Sequence, residues 1–366
     1  MRKRSWILLF TLALVLVGSA WAQSEESQPE KKEPSVKAYL LVGDVYYSSG
    51  EYDAAMIAFR RALEKEPNNV YALYGLGRTQ LKMHQFTAAI ENLKRAIAID
   101  GNYAPLYVAL AQAYTDRYLY AEDKDVAKKF LDQALLILDD AQRVDPNYHP
   151  IYNQRGLIYQ YKGDLEKAEK AFKKAMEIAT DDPVVRYNLA QVYLSQGRLD
   201  DAMDMLSQGV ALDPASPQLQ LLYGKVLAVK GRLIDAEQAL AKAAELAPLN
   251  ASTWLNLGQV RYMRKKYEQA IDALEKAVEL DPLGYPEAYF YLGRAHLDLG
   301  HVEEARLNFT KAIKLSPDNA DYHYWLAEAL LAANDGESAR AELLRALELA
   351  PEHEQAKKAL AELKKK

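Results

Sequence analysis

The residues best suited to catalysis or metal binding are six histidines and several adjacent pairs of acidic residues. No two histidines form an H-E-x-x-H pair or lie four residues apart on one helix, so none has the spacing of a helical metal site. The acid pairs Asp139-Asp140 and Glu303-Glu304 fall in turns or on exposed helix faces, where carboxylates are usually solvated. We therefore predict no catalytic, metal or cofactor site, and we expect that the protein is not an enzyme.

Composition excludes two further kinds of chemistry. The chain has no cysteine, so it has no thiol nucleophile, disulfide framework or cysteine-based metal site. Its formal net charge is −5, which becomes −8 if a segment carrying Arg2, Lys3 and Arg4 is removed. A net acidic chain without a basic stripe is poorly suited to binding phosphate backbones. We therefore expect no nucleic-acid partner.

Small residues recur along the chain at positions that predict paired helices. Three series of positions, represented by Gly258, Ala270 and Ala277 in one unit, are occupied only by glycine or alanine in all nine units. Small side chains at helical spacing allow two helices to approach closely, and a larger one there would overpack by about 1–3 kcal/mol. A proline such as Pro282 then ends the second helix, because it lacks an amide donor. The pattern predicts helical hairpins that must stack to bury their faces.

This pattern resembles the tetratricopeptide repeat, and the resemblance covers residues 36–353. It implies an all-α, right-handed superhelical solenoid of about nine helical hairpins followed by a capping helix. The predicted units are 36–69, 70–103, 104–148, 149–182, 183–216, 217–250, 251–285, 286–319 and 320–353, with the capping helix at 354–366. The third unit carries an insertion around Arg117–Lys128, which we expect to lengthen its hairpin. We also expect enlargement of Ala356, in the capping helix, to be tolerated better than enlargement of Ala202 in the middle of the array.

The resemblance also implies where a partner would bind, because in this family the first helices of successive hairpins line a concave groove that holds peptides or partner helices. Tyrosines in such a groove supply rigid contact area together with a hydroxyl group. Asn188 and Asn256, together with Gln154, resemble fragments of the asparagine ladder that binds peptide backbones in the repeat domain of an O-linked glycosyltransferase. The residues that the resemblance places in the groove are Tyr47, Tyr71, Tyr74, Arg78, Gln112, Asn153, Tyr161, Tyr187, Asn188, Gln191, Leu221, Lys225, Leu255, Asn256, Gln259, Tyr262, Phe290, Arg294, Tyr324 and Glu328.

The first 35 residues predict export. Three basic residues precede an apolar run from Trp6 to Val17, and Ala20-Trp21-Ala22 has the small–x–small pattern of a signal-peptidase site. The run is shorter than the roughly 20 residues that a membrane-spanning helix needs, so we predict a signal peptide over 1–22 that is cleaved near Ala22. An uncleaved anchor is the alternative. Ser19 occupies the place where a lipoprotein would carry cysteine, so we expect no lipid anchor, and residues 23–35 have the polar composition of a flexible linker.

Together these features predict a non-enzymatic, exported scaffold that binds a protein or peptide partner in its groove. A periplasmic or secreted location follows from the signal peptide. Analogy with other exported repeat proteins suggests work in envelope, pilus, secretion or polysaccharide-export assembly. The alternative is a non-catalytic subunit of an envelope enzyme complex. The sequence leaves the partner and the oligomeric state open.

Overall fold

The computed structural model describes residues 34–363, and all the secondary structure in that range is helical. The predicted all-α fold is therefore confirmed. These described residues divide after Asp100 into two compact units, 34–100 and 101–363, which we describe separately. The predicted signal peptide and residues 23–33 of the predicted linker lie outside the described residues. None of the helices within 34–363 is both long enough and apolar enough to cross a membrane.

The first unit contains two helical hairpins. They are formed by α1 (Val36–Ser48) with α2 (Tyr52–Lys65), and by α3 (Val70–Lys82) with α4 (Phe86–Ile99). The side chain of Ser35 accepts a hydrogen bond from the amide of Ala38 at 3.2 Å, which caps the first turn of α1. Phe59 is almost fully buried between the two hairpins, where a methyl group added at either Gly43 or Gly75 would meet its ring.

The second unit contains seven hairpins and a final helix. Its helices are α5 (Ala104–Leu119), α6 (Lys124–Val144), α7 (His149–Tyr161), α8 (Leu165–Ile178), α9 (Pro183–Ser195), α10 (Leu199–Leu212), α11 (Pro217–Val229), α12 (Leu233–Leu246), α13 (Ala251–Met263), α14 (Tyr267–Leu280), α15 (Pro286–Asp298), α16 (Val302–Leu315), α17 (Ala320–Ala332), α18 (Gly336–Leu349) and α19 (Glu354–Leu363). Odd numbers up to α17 are the first helices of hairpins, and even numbers are the second helices. Within the second unit, each second helix packs on its own first helix and on the next hairpin or, for α18, on α19.

The repeated small residues lie where helices approach most closely. At Gly258, for example, an added Cβ atom would lie 2.5 Å from Cγ of Leu274, whose side chain is fully buried. The position therefore excludes any larger side chain unless the packing shifts. The insertion in the third unit extends both α5 and α6 and leaves Tyr120 exposed near their connection.

The turns between hairpins of the second unit share a hydrogen bond that the repeat pattern does not indicate. In each hairpin of this unit, the residue four places before the small residue of the first helix donates to a carbonyl oxygen in the turn before that helix. The donors differ in type, and the pairs are Tyr107–Gly101, Tyr152–Pro146, Arg186–Thr180, Gln220–Pro214, Trp254–Pro248, Tyr289–Pro282 and His323–Pro317. These bonds satisfy carbonyl groups that no helix can satisfy and tie each turn to the next first helix.

The final helix, α19, covers the last hairpin. Ala356 and Leu360 belong to the same buried cluster as Ala339, Leu343 and Ala346 of α18. Ala356 is 0% exposed, as is Ala202. The burial of Ala356 gives no support to the expectation that its enlargement would be tolerated better than that of Ala202.

Candidate partner-binding surface

The surface formed by the first helices is the best candidate for a binding site. We define the first-helix face as the side chains three places before, one place after and four places after the repeated small residue of each first helix. Most consecutive first helices of the second unit contact each other, so side chains from neighbouring hairpins meet on this face. The residues one place after the small residue in the second unit are Gln112, Leu157, Gln191, Lys225, Gln259, Arg294 and Glu328.

The structure places most of the predicted groove residues at positions with some solvent exposure. Tyr71 is 62% exposed and Tyr161 is 39% exposed, and most of the others are partly exposed. The two buried exceptions are Asn188 and Leu255, each 7% exposed. Their contact with a partner remains a prediction, as it does for the whole set, but these two side chains present little surface for it.

The predicted asparagines bind within the protein. The side-chain amide of Asn188 donates to the side-chain oxygen of Asn153 on the preceding first helix at 2.9 Å. The amide of Asn256 donates to the carbonyl oxygen of Ser252 at 2.6 Å, within its own helix. These bonds connect or stiffen first helices, and they occupy donors that a peptide backbone would otherwise use.

The most developed part of the face surrounds Arg294 on α15. The guanidinium carbon of Arg294 lies 3.9 Å from the ring centre of Trp325, 5.0 Å from that of Tyr262 and 5.9 Å from that of Phe290. These rings come from three consecutive first helices, α13, α15 and α17. A guanidinium within about 6 Å of an aromatic ring is attracted to the electron-rich face of that ring. We call Tyr262, Phe290, Arg294, Tyr324 and Trp325 the Arg294 cluster.

Two acidic residues lie beside this cluster, and each is bound to a tyrosine. The hydroxyl group of Tyr262 donates to Oδ2 of Asp298 at 2.6 Å. Burial, and then this hydrogen bond, raise the pKa of Tyr262 well above its ordinary value. Burial and the neighbouring Glu328 raise the pKa of Tyr324 to about 12. Burial also raises the pKa of the Glu328 carboxyl, to which Tyr324 donates a hydrogen bond.

The first unit repeats part of this arrangement. Arg78 occupies the same repeat position as Arg294, and its guanidinium carbon lies 4.3 Å from the ring centre of Tyr47 and 5.1 Å from that of Tyr74. The two aromatic residues correspond by position to Tyr262 and Phe290. An arginine held between aromatic rings on the first-helix face is therefore a feature of both units.

The residues predicted from the sequence do not include Trp325 and Asp298. Trp325 lies two places before the small residue of its helix, which is also the position of the predicted residues Asn188 and Asn256. The repeat register could therefore have identified it. Asp298 carries no such signal, because its role depends on the hydroxyl group of Tyr262, a residue of the preceding hairpin.

Comparison with known protein families agrees with this architecture. The family model described as the Cilia and flagella-associated protein 70 C-terminal domain matches residues 151–363, which is more than half of the chain. Models of the tetratricopeptide repeat match residues 43–84 and 70–103.

Individual relatives cover parts of the chain. BBSome complex member BBS4 of Xenopus tropicalis is 32% identical over 137 residues, which are 36% of this chain and 26% of that protein. Cellulose synthase operon protein C of Xanthomonas axonopodis pv. citri is 28% identical over 165 residues, which are 44% of this chain and 11% of that protein. The chain thus spans less than a third of the length of these relatives.

Solved structures show the same fold. TTC0263, a tetratricopeptide repeat protein of Thermus thermophilus, is 40% identical, covers 53% of this chain and 100% of its own, and superposes with a TM-score of 0.50. The Cut9–Hcn1 hetero-tetramer structure contains a chain that covers 98% of this one and 81% of its own, with a TM-score of 0.53 at 16% identity. The stacked helical hairpins, the family models and these structures agree, and the chain belongs to the tetratricopeptide repeat family.

Proposed function

We propose that this protein is an exported, non-enzymatic scaffold that binds a segment of a partner protein on its first-helix face. The tetratricopeptide repeat fold supports a role in protein–protein interaction. The observation that carries the finer proposal is the Arg294 cluster, in which one arginine and four aromatic residues from three first helices lie together with part of their surface exposed.

The chemistry of the cluster supports binding. Tryptophan, tyrosine and arginine dominate the residues whose truncation weakens protein interfaces most. Aromatic side chains also offer a large contact area at a small cost in conformational entropy, since they rotate about few bonds. Phe290 is further held by the buried Tyr322, whose ring stacks on it at 5.0 Å between centres. The surface is therefore already ordered before a partner arrives.

The relatives support partner binding and favour no single pathway. One matching protein is a BBSome complex member, and another is a peroxisomal targeting signal receptor of Debaryomyces hansenii, 26% identical over 182 residues. The cellulose synthase operon protein is a bacterial relative. Their names describe different cellular roles. The fold they share suits the binding of other proteins. A role in envelope assembly therefore rests on the proposed export and on analogy with other exported repeat proteins.

Export is proposed from the first 22 residues, with their basic start, apolar run and Ala-Trp-Ala site. Expression of the full chain in a bacterium followed by amino-terminal sequencing tests it. A mature protein that begins at Gln23 and is released by osmotic shock supports the proposal. A chain that keeps its first residues and stays in the membrane fraction supports an uncleaved anchor instead.

Site-specific photocrosslinking tests the binding surface. A photoreactive phenylalanine at Gln259, on the first-helix face, is compared with one at Leu307, which is 56% exposed on a second helix. We expect one partner to be captured from Gln259, to be lost when Tyr262 and Phe290 are changed to alanine, and to be absent from Leu307. Equal capture from both positions would contradict the assignment of the surface.

A further inference from the structure

We propose that Arg294 binds the carboxylate of an aspartate or glutamate side chain in the partner segment. The proposal rests on the proposed function, since it assumes that a protein segment occupies the first-helix face. It adds the chemistry that the face recognises at this position.

The first step is the charge balance around Arg294. Among the described residues, the guanidinium group of Arg294 forms no ion pair, and its Nε atom is buried without a hydrogen-bond partner. Two other partly buried arginines of the second unit are paired with an acid: Arg155 with Asp139 at 2.8 Å and Arg261 with Glu237 at 3.4 Å. A partly desolvated cation gains most from an anionic partner, so Arg294 lacks the group that its counterparts have.

The second step is the orientation of the guanidinium. Its central carbon lies 3.9 Å from the ring centre of Trp325, and the ring centre of Tyr262 lies 5.0 Å away. Contact with these rings restricts the guanidinium plane, and Arg294 as a whole keeps part of its surface exposed. A planar fork held in this way matches the two oxygens of a carboxylate, and little further entropy is lost on binding.

The third step identifies the carboxylate as one within a chain segment. The acids beside the cluster, Asp298 and Glu328, already accept hydrogen bonds from Tyr262 and Tyr324. Their negative charge disfavours a polyanion such as a nucleic acid, whereas a single carboxylate can still approach Arg294. Side chains of the same face continue on both neighbouring first helices, at Gln259 and Glu328, so a bound segment can run past Arg294 in both directions. We therefore assign the carboxylate to a side chain within the segment.

Selection from a random peptide library displayed on phage provides the probe. Peptides selected on the wild-type protein should share an acidic residue next to an apolar one. Selection on Arg294→Gln should not enrich the acidic residue. Selection on Arg306→Gln should enrich it as in the wild type, because Arg306 lies on a second helix and pairs with Glu303.

Affinities of one selected peptide, synthesised with a blocked amino terminus and an amidated carboxyl terminus, then test the contact itself. A charge-assisted hydrogen bond of about 1.5–3 kcal/mol corresponds to a Kd that rises roughly 10- to 150-fold when it is lost. We expect that loss when the acidic residue of the peptide is changed to its amide, and also when Arg294 is changed to glutamine. When both changes are combined, the Kd should be no higher than with either change alone. The Kd of the Arg294→Lys variant should lie between those of the wild type and Arg294→Gln, because lysine keeps the positive charge but lacks the planar guanidinium group.

The outcomes separate this inference from the proposed function. If every selected peptide still binds after Tyr262 and Phe290 are changed to alanine, the first-helix face is not the binding site and both proposals fail. If the peptides require Tyr262 and Phe290 but show no preference for an acid, only the role of Arg294 fails. Peptides that bind through a free terminal carboxylate alone would overturn the assignment to a side chain. The amide substitution in the peptide uses the wild-type protein, so a folding defect in the Arg294 variants cannot obscure the result.

Discussion

The hydroxyl group of Tyr152 donates a hydrogen bond to the carbonyl oxygen of Pro146 at 2.8 Å. It is one member of the series in which each first helix of the second unit binds the turn before it. Tyr152 is 7% exposed, so water is poorly placed to replace this bond. The bond fixes the turn to the helix that follows and thereby helps to set how one hairpin meets the next.

We expect Tyr152→Phe to lower the free energy of unfolding by about 1 kcal/mol, because the carbonyl of Pro146 loses its donor while the ring packing stays. Urea denaturation followed by circular dichroism measures the change. Tyr223→Phe is the control, since the hydroxyl group of Tyr223 forms no hydrogen bond within residues 34–363. Equal effects of the two substitutions would show that the bond to the turn contributes nothing of its own.

A second prediction concerns Glu237, which joins two hairpins. Its carboxylate contacts Lys266 at 3.0 Å and Arg261 at 3.4 Å, and it also pairs with Arg264. Burial alone would raise the pKa of Glu237, but Lys266 and Arg264 outweigh it and hold the pKa below its ordinary value of 4.5. Changing Glu237 to glutamine leaves three cations without their anion. We expect the free energy of unfolding to fall by about 3 kcal/mol at pH 7. This is the lower end of the range for breaking a buried ion pair, because the cations are partly exposed.

The pH dependence of this loss follows from the direction of the shift. A carboxyl whose pKa is lower in the folded state stabilises the fold fully above its unfolded pKa, and that contribution is lost as the pH falls through the folded pKa. The difference between wild type and Glu237→Gln should therefore be largest at neutral pH and shrink below about pH 4.5. Urea midpoints measured from pH 7 to pH 3 test this. Glu279→Gln, at an exposed pair with Lys276, should change them little at any pH.

A third prediction concerns Glu328, whose pKa is shifted in the opposite direction from that of Glu237. Burial raises the pKa of the Glu328 carboxyl, and the neighbouring Glu362 raises it further. A carboxyl with a raised folded pKa destabilises the fold when it is ionised, and this cost disappears as the pH falls towards the ordinary value of 4.5. Glu328→Gln should therefore raise the melting temperature at pH 7 and leave it unchanged near pH 4. A lower melting temperature at pH 7 would mean that the bond from Tyr324 outweighs the burial of the charge.

Much of the fold could be predicted from the sequence because nine units repeat one packing rule. A glycine or alanine at the position of Gly258 is required wherever two helices meet, so the recurrence of small residues locates the helices by itself. The first-helix face follows from the same register, which placed Tyr262 and Arg294 on it.

Other contacts depend on side chains that differ from unit to unit and could not be read from the register. The turn donors include Tyr152, Trp254 and His323, which share a position but not a residue type. Glu237 finds its cations in the following hairpin, 24 to 29 residues away. Such contacts depend on how the folded hairpins lie against each other, and residue spacing within one helix does not predict them.

The last prediction concerns the capping helix, where the observed burial of Ala356 changes the expectation drawn from the sequence. Ala356 of α19 is fully buried against the last hairpin, in a cluster with Leu343 and Ala346. We now expect Ala356→Leu to destabilise the protein by about 1–3 kcal/mol, as Ala202→Leu should, because a larger side chain has no space in either place. Ala361→Leu provides a control on the same helix, since Ala361 is exposed and the substitution keeps the helix propensity nearly unchanged. Urea unfolding of the three variants measures the costs, and an Ala356→Leu protein as stable as Ala361→Leu would show that α19 can move aside without loss.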